Sequence, residues 1–143
     1  DSAVQCANAL LELPKNRQFA VFLSSGGRFA GGVFRDTECL MHKAFAHYTT
    51  RRKQGGAQSS KDGQSGTAQP KSAGSNLRRH EAVRFHEDLT ELLKSWRSSL
   101  AECALVFLYA PGSNRAIIHF SETAHLFHKD DARVRPVPFV VRY

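Results

Sequence analysis

The chain has 143 residues and 41% hydrophobic content, enough for one buried core, so a single domain over residues 1–143 is predicted. Its formal net charge of +7 favours an acidic partner, with nucleic acid ahead of a membrane surface. No apolar stretch of this sequence is long enough to span a bilayer.

The three cysteines, Cys6, Cys39 and Cys103, are odd in number and widely spaced. Because they form no CxxC pair, the pattern is typical of reduced thiols in a cytoplasmic protein rather than of a disulfide framework. No secretory signal pattern opens the chain. The sequence starts without Met and stops within a β-like run, so we expect it to be a domain cut from a longer protein.

The first part of the chain predicts one helix followed by three strands. A lead-in helix before Pro14 is indicated by apolar residues at helical spacing, namely Val4, Ala7, Leu10 and Leu11. A buried central strand over 18–24 follows, and Gly26-Gly27 turns the chain into a second strand over 28–35. Within that strand, Gly31-Gly32 indicates a bulge or close packing. A third strand is predicted over 38–48.

After the third strand the sequence becomes basic and then rich in glycine. Gly55 and Gly56 permit positive φ and a close approach to another surface. Gln58 carries a donor and an acceptor without charge, so it can position a water or a hydroxyl. Three cations just upstream are placed to neutralise phosphates: Arg51, Arg52 and Lys53. The pattern predicts a flexible GGxQ loop over 55–76 that enters an RNA-lined cleft, although an ordinary linker has a similar composition.

The strongest helical pattern in the chain follows this loop. Ser75 or Asn76 can cap the helix. Its apolar face consists of Phe85, Leu89, Leu92, Leu93, Trp96 and Leu100. These side chains, including the tryptophan, are predicted to cover one face of the sheet and not to stack on bases. Arg78 and Arg79 fall in the predicted first turn, where cations oppose the helix dipole, so they either bind an external anion or are solvated.

The remaining chain predicts two strands and a short helix. The apolar run 104–109 has strand length, and the turn 111–115 opens a helix over 116–120. The last apolar run, 137–141, contains Pro138 and is therefore predicted at a sheet edge. Together these elements predict an α/β (α+β) fold: a five-strand mixed sheet with one long helix and smaller helices.

Metal binding and serine-hydrolase chemistry are both disfavoured. Cys39, His42 and His47 lie near one another, but strand alternation places the two histidines on opposite faces, whereas zinc requires converging ligands. Ser59 and Ser60 follow no Gly-x-Ser-x-Gly elbow and are interpreted as small loop residues. Neither a metal nor a cofactor is predicted.

Several motifs resemble, in the same order, those of one known family. They are Leu23-Ser-Ser-Gly-Gly-Arg-Phe-Ala-Gly31, His42-Lys43, Tyr48-Thr-Thr-Arg-Arg-Lys-Gln-Gly-Gly-Ala-Gln58, Ser72-Ala-Gly-Ser-Asn-Leu-Arg-Arg79 and Asn114-Arg115. From Phe19 to Arg142 the chain resembles the release-factor-like domain of the Vms-type tRNA hydrolases of ribosome-associated quality control, which include the metazoan protein with ankyrin repeats and a zinc finger. The loop is also similar to the GGQ loop of class I release factors.

The resemblance implies a fold and an activity. The fold is that of the middle domain of the eukaryotic class I release factor, and the activity is cleavage of peptidyl-tRNA on stalled large ribosomal subunits. Gln58 matches the family glutamine, Gly55 and Gly56 its glycines, and Tyr48 and Arg51 its upstream tyrosine and arginine.

Two cleavage reactions remain possible, and a non-catalytic role is a third alternative. Vms-type members cut the tRNA near its 3′ CCA end, whereas release factors hydrolyse the peptidyl ester. In this chain Ala57 separates the glycines from Gln58, which favours the nuclease. A basic module that binds ribosomal or transfer RNA without chemistry is the remaining alternative.

The resemblance also implies partners. Peptidyl-tRNA and the RNA of the large subunit are expected to contact Arg52, Lys53, Lys61, Arg78 and Arg79. A AAA ATPase, valosin-containing protein, is expected to bind regions outside this chain. The isolated domain is expected to be a monomer.

Overall fold

The computed structural model describes residues 17–50, 73–119 and 126–137, together with 139 and 141. Three strands come first: β1 (Gln18–Ser25), β2 (Arg28–Arg35) and β3 (Glu38–Ala46). The second half contains α1 (Ala73–Ser95), α2 (Arg97–Ala101), β4 (Leu105–Tyr109), α3 (Asn114–Ile118) and β5 (Val134–Pro136). The predicted lead-in helix before Pro14 lies outside the described residues.

The strands form one sheet in the order β3-β2-β1-β4-β5. β1, β2 and β3 pair antiparallel through tight turns, as their alternating patterns and the Gly26-Gly27 turn predict. β4 pairs parallel to β1, and β5 pairs parallel to β4. A parallel neighbour requires a crossover connection, and α1 and α2 lie in the chain between β1 and β4. The predicted five-strand mixed sheet with one long and smaller helices is therefore confirmed.

The hydrophobic core unites one face of the sheet with the apolar face of α1. Ala20 and Phe22 of β1 are completely buried on this face. The same cluster contains Phe85, Leu89 and Leu93 of α1. Full burial of a large apolar side chain contributes roughly 1.5–3 kcal/mol. The predicted role of the α1 stripe is thus confirmed, and Trp96, 9% exposed, belongs to the core rather than to a base-stacking surface.

The long helix predicted through Leu100 is in fact two helices. α1 ends at Ser95, whose hydroxyl donates to the Leu92 carbonyl oxygen at 2.7 Å, and such side-chain bonds back to the helix bend it. Trp96 then leaves helical geometry, with φ −91° and ψ 4°, and precedes α2. Among the elements that the structure describes, no helix is both long and apolar enough to cross a bilayer.

Glycine allows two phenylalanine rings to lie against β2. A Cβ built on Gly31 would stand 2.7 Å from ring atoms of both Phe22 and Phe29, which real contacts do not allow. The close packing predicted for the Gly31-Gly32 pair is therefore present. The irregularity in the ladder comes slightly later, between Val33 and Phe34.

The position predicted for the last strand was wrong. β5 is formed by Val134–Pro136, and the residues of the predicted run that the structure describes, 137, 139 and 141, lie outside any strand. β5 pairs with β4 so that Leu108 faces Pro136, and the Val137 amide adds one further bond to the Leu108 carbonyl oxygen at 3.3 Å. The expected place at the sheet edge is nevertheless correct. The short helix also begins and ends two residues earlier than predicted, at Asn114–Ile118.

Arg133 joins the start of β5 to the end of α2. Its guanidinium donates to the Leu100 carbonyl oxygen at 3.1 Å and to the Asp131 carboxylate at 2.8 Å. The hydrogen bond from Arg133 holds the pKa of Asp131 below its ordinary value, although partial burial acts in the opposite direction.

This pair is expected to contribute to stability except in acid. A carboxyl whose pKa is lower in the folded state stabilises the fold above its ordinary value of 3.8, and that contribution is lost as the pH falls through the folded value. Asp131→Asn should therefore lower the free energy of unfolding near neutral pH and flatten its decline below about pH 5. Urea unfolding at a series of pH values measures both effects. The matched control is Asp130→Asn at an exposed neighbour, and an equal pH slope in the two variants would refute the assignment.

Candidate active site

The predicted site lies between β3 and α1. Most of its residues belong to the segment 51–72, which is outside the described residues: Arg51, Arg52, Lys53, Gly55, Gly56, Gln58, Ser59, Ser60 and Lys61. Tyr48 follows β3, which ends two residues earlier than predicted, and Arg78 and Arg79 lie in α1. The structure thus describes where the chain leaves the sheet and where it returns.

The backbone at the exit is held by the β1–β2 turn. The His47 amide donates to the Gly27 carbonyl oxygen at 2.8 Å, and the Thr49 amide donates to the His47 carbonyl oxygen at 2.9 Å. Gly27 has φ +76°, and a Cβ there would lie 2.7 Å from the His47 carbonyl oxygen. Tyr48, between the two bonded residues, is 42% exposed. The exit is therefore a fixed backbone segment that presents Tyr48 to solvent.

Substitution of Gly27 tests this contact. Gly27→Ala is expected to destabilise the fold by more than the roughly 1–2 kcal/mol that a positive φ costs an L-residue, because the new Cβ also collides with the exit segment. Gly112→Ala is the matched control, since its φ is +61° and a Cβ there meets nothing within 4 Å. Urea unfolding compares the two variants. Equal losses would show that the turn does not support the exit.

His47 ties the exit to α1. Its Nδ1 lies 3.0 Å from Glu81 Oε2, and its Nε2 lies 2.7 Å from Asp88 Oδ2. The ring also stands edge-on to Phe45 and Phe85, with centroids 5.9 and 6.0 Å away. Its side chain is only 12% exposed. We call this arrangement of His47, Glu81 and Asp88 the exit clamp.

The clamp lowers the pKa of one of its carboxyl groups, that of Glu81. The hydrogen bond from His47 holds the pKa of Glu81 below its ordinary value, and the charges of Arg84, His47 and His80 act in the same direction. Desolvation opposes them. Glu81 is therefore an ionised acceptor at neutral pH, which suits it to hold a ring N–H.

The sequence did not reveal this clamp. In the sequence, His47 was considered only as one of three possible zinc ligands. One signal was present, because Glu81 and Asp88 are seven residues apart and so share a helix face. Nothing local, however, indicates which strand end that face meets.

The chain returns to a helix that starts earlier than predicted. α1 begins at Ala73, so Ser75 and Asn76 lie inside it and do not cap it. Arg78 and Arg79 consequently occupy its second turn rather than its first. Neither forms an ion pair with another residue of the described ranges. Their positive charge is therefore available to an external anion, or to solvent, close to the end of the loop.

The residues weighed for metal binding do not converge. Cys39 Sγ and His42 Nδ1 lie 3.8 Å apart on the exposed edge strand, while the His47 ring points to α1. In the part of the chain that the structure describes, no group of three or more histidine, cysteine, aspartate and glutamate side chains is arranged to hold a metal ion, and the members of the exit clamp contact one another instead.

Comparison with known proteins identifies the family. The model of the family described as Bacteroidetes VLRF1 release factor matches residues 19–143. The chain belongs to the VLRF1 release-factor family. The resemblance inferred from the loop and its neighbouring motifs is thereby confirmed.

Curated relatives of this VLRF1 chain are several times longer. It is 37% identical over 120 residues to tRNA endonuclease vms-1 of Caenorhabditis elegans, covering 84% of this chain and 19% of that protein. It is 35% identical over 128 residues to tRNA endonuclease ANKZF1 of Homo sapiens, covering 88% and 17%. For tRNA endonuclease VMS1 of Saccharomyces cerevisiae the values are 34% over 140 residues, 84% and 22%. The chain thus spans about a fifth of these relatives.

A solved structure has the same fold. The protein described as Vms1 mitochondrial localization core superposes on the VLRF1 chain with a TM-score of 0.58 at 22% identity. The match covers 88% of this chain and 48% of that one. The predicted fold class is thus confirmed by comparison as well as by the sheet itself.

Proposed function

We propose that this domain cleaves peptidyl-tRNA on stalled large ribosomal subunits by an endonucleolytic cut near the tRNA 3′ CCA end. The cut frees the nascent chain for ribosome-associated quality control. The observation that carries the proposal is the VLRF1 family match over residues 19–143, which includes the GGxQ loop. The relatives named tRNA endonuclease, 34–37% identical to this chain, support the choice of the nuclease.

The proposed reaction uses the substrate's own ribose as the nucleophile. The 2′-hydroxyl attacks the adjacent phosphorus, the bond from phosphorus to the 5′ oxygen breaks, and a proton passes from the 2′ to the 5′ oxygen. A 2′,3′-cyclic phosphate and a 5′-hydroxyl result. Gln58 aligns the reacting groups, and Arg51 and Arg52 stabilise the charge that develops on the phosphate oxygens. Tyr48 is the third proposed catalytic residue, and Gly55 and Gly56 allow the loop backbone to approach the substrate closely.

The exit geometry supports delivery of Gln58 into a narrow site. Gln58 lies eight residues beyond Thr50, the last described residue of the exit. At roughly 3.3–3.6 Å per residue, an extended chain would let Gln58 reach at most about 29 Å from that point. In the proposal, the folded domain docks outside a cleft while the segment that carries Gln58 enters it. The hydrogen-bonded exit backbone and the distance that Gln58 can reach suit that arrangement.

Basic side chains near both ends of the loop support RNA as the partner. Arg52, Lys53 and Lys61 belong to the loop segment, and Arg78 and Arg79 lie where the chain returns. In the proposal these five cations bind phosphates of peptidyl-tRNA and of the large-subunit RNA.

The wider setting belongs to the same proposal. The 143 residues act as one monomeric catalytic domain with a flexible loop, in the cytoplasm, with reduced cysteines. Recruitment of a AAA ATPase, valosin-containing protein, is assigned to regions outside this chain.

The proposal is tested on stalled complexes. Large subunits that carry a nascent chain on tRNA are incubated with the protein, and the 3′ ends of the recovered tRNA are sequenced. A tRNA shortened near CCA supports the nuclease. Release with an intact CCA end would replace it with ester hydrolysis, and binding without release would leave a non-catalytic RNA-binding module.

A further inference from the structure

We propose that His47 is a positioning residue for the catalytic loop, held between the carboxylates of Glu81 and Asp88. The inference rests on the proposed function for its catalytic meaning, and on the exit clamp for its geometry. His47 stands four residues before Arg51 and eleven before Gln58. It therefore holds the part of the exit that immediately precedes the proposed catalytic residues.

Both nitrogens of the His47 ring face a carboxylate of α1. Each nitrogen lies within 3.0 Å of a carboxylate oxygen, and an ionised carboxylate can only accept a hydrogen bond. The ring is therefore held from two sides. On the same helix, His80 and Arg84 lie further from Glu81, at 3.9 and 3.8 Å.

The clamp connects the two ends of the loop. Glu81 and Asp88 belong to the helix to which the loop returns, whereas His47 belongs to the strand end from which it leaves. The His47 backbone is fixed independently by the Gly27 carbonyl oxygen and by the Thr49 amide. The ring is thus the side-chain link that fixes the exit relative to α1, just before the exposed Tyr48. Loss of the link should misplace the reacting groups without removing any of them.

The kinetic test separates positioning from binding. His47→Gln keeps one donor of similar reach, and His128→Gln is the matched control at a 66% exposed histidine that contacts Asp130 and no member of the clamp. On large subunits with stalled peptidyl-tRNA, His47→Gln is expected to slow single-turnover cleavage at saturation by about 10-fold or more, with unchanged affinity for the subunit. His128→Gln should cleave like the wild type. Cleavage by His47→Gln at the wild-type rate overturns the inference.

Double mutants show whether His47 acts through the carboxylates of Glu81 and Asp88. Glu81→Gln and Asp88→Asn should each slow cleavage, and neither should slow it further once His47→Gln is present. Fully additive losses would mean that the histidine works in another way. If the wild type fails to cleave the tRNA at all, it is the proposed function that fails.

A spectroscopic readout needs no activity. In the wild-type protein, both ring nitrogens of His47 should show nitrogen NMR shifts characteristic of hydrogen bonding. Asp88→Asn should change the Nε2 resonance more than the Nδ1 resonance. An Nε2 resonance that Asp88→Asn leaves unchanged would contradict the clamp, whatever the kinetics.

Discussion

Replacing Gln58 with alanine is expected to slow cleavage of subunit-bound peptidyl-tRNA by about 100-fold or more, or about 2.7 kcal/mol of transition-state stabilisation. The side chain is uncharged, so its loss removes alignment rather than attraction to RNA. Affinity for the large subunit should therefore be unchanged, since the proposed function assigns the binding of RNA to the cations of the loop and of α1. Single-turnover rates at saturating protein, with affinity measured separately, separate the two effects.

The same loop provides a matched control. Gln64→Ala removes a second glutamine from the same segment, outside the GGxQ motif, and should cleave like the wild type. If both variants were equally slow, the loop would act through its overall composition and not through Gln58. If neither were slow, the glutamine would have no part in the chemistry and the binding module would be favoured.

Phe22→Ala is expected to produce the largest loss of stability. Phe22 is completely buried, and its ring contacts Phe29, Trp96 and Phe127 at centroid distances of 5.8, 6.5 and 5.6 Å. The change leaves a cavity where the sheet, α1 and the segment before β5 meet. A buried Phe→Ala change costs about 3–5 kcal/mol, a large share of the 5–15 kcal/mol that typically stabilises a domain.

Urea unfolding measures this loss. Phe139→Ala is the matched control, because that ring is 67% exposed and its removal should change the free energy of unfolding by less than about 0.5 kcal/mol. A loss below about 1 kcal/mol for Phe22→Ala would mean that the core is not organised around this ring.

Most of the fold was predictable because local signals and tertiary packing agree. β1 alternates between buried and half-buried residues, and Gly26-Gly27 supplies the turn that pairs it with β2. The apolar face of α1 follows the helical repeat and meets the sheet as expected. The position of the last strand was predicted wrongly because the apolar pattern of Val134–Pro136 is weak. This segment becomes a strand through its pairing with β4, which depends on tertiary structure and not on the local sequence.

The candidate site likewise has one part that the sequence indicates and one part that only the folded structure shows. Gln58 and its glycines, which stay a prediction, are inferred from a motif that is contiguous in sequence. The exit clamp joins residues that are 34 and 41 positions apart, so no window of the sequence contains it. The two contacts of His47, which follows the edge strand β3, form only when the fold brings Glu81 and Asp88 of α1 against it.

The central claim, that the cut falls in the tRNA, is tested most directly by the mass of the released nascent chain. An endonucleolytic cut leaves the peptidyl ester intact, so the peptide should carry the 3′-terminal nucleotides, and mild alkali should then remove them. Ester hydrolysis would instead release a peptide with a free C-terminal carboxylate. We expect the nucleotide-bearing mass with the wild type, and the same product about 100-fold more slowly or not at all with Gln58→Ala. A free carboxylate as the first product would contradict the account.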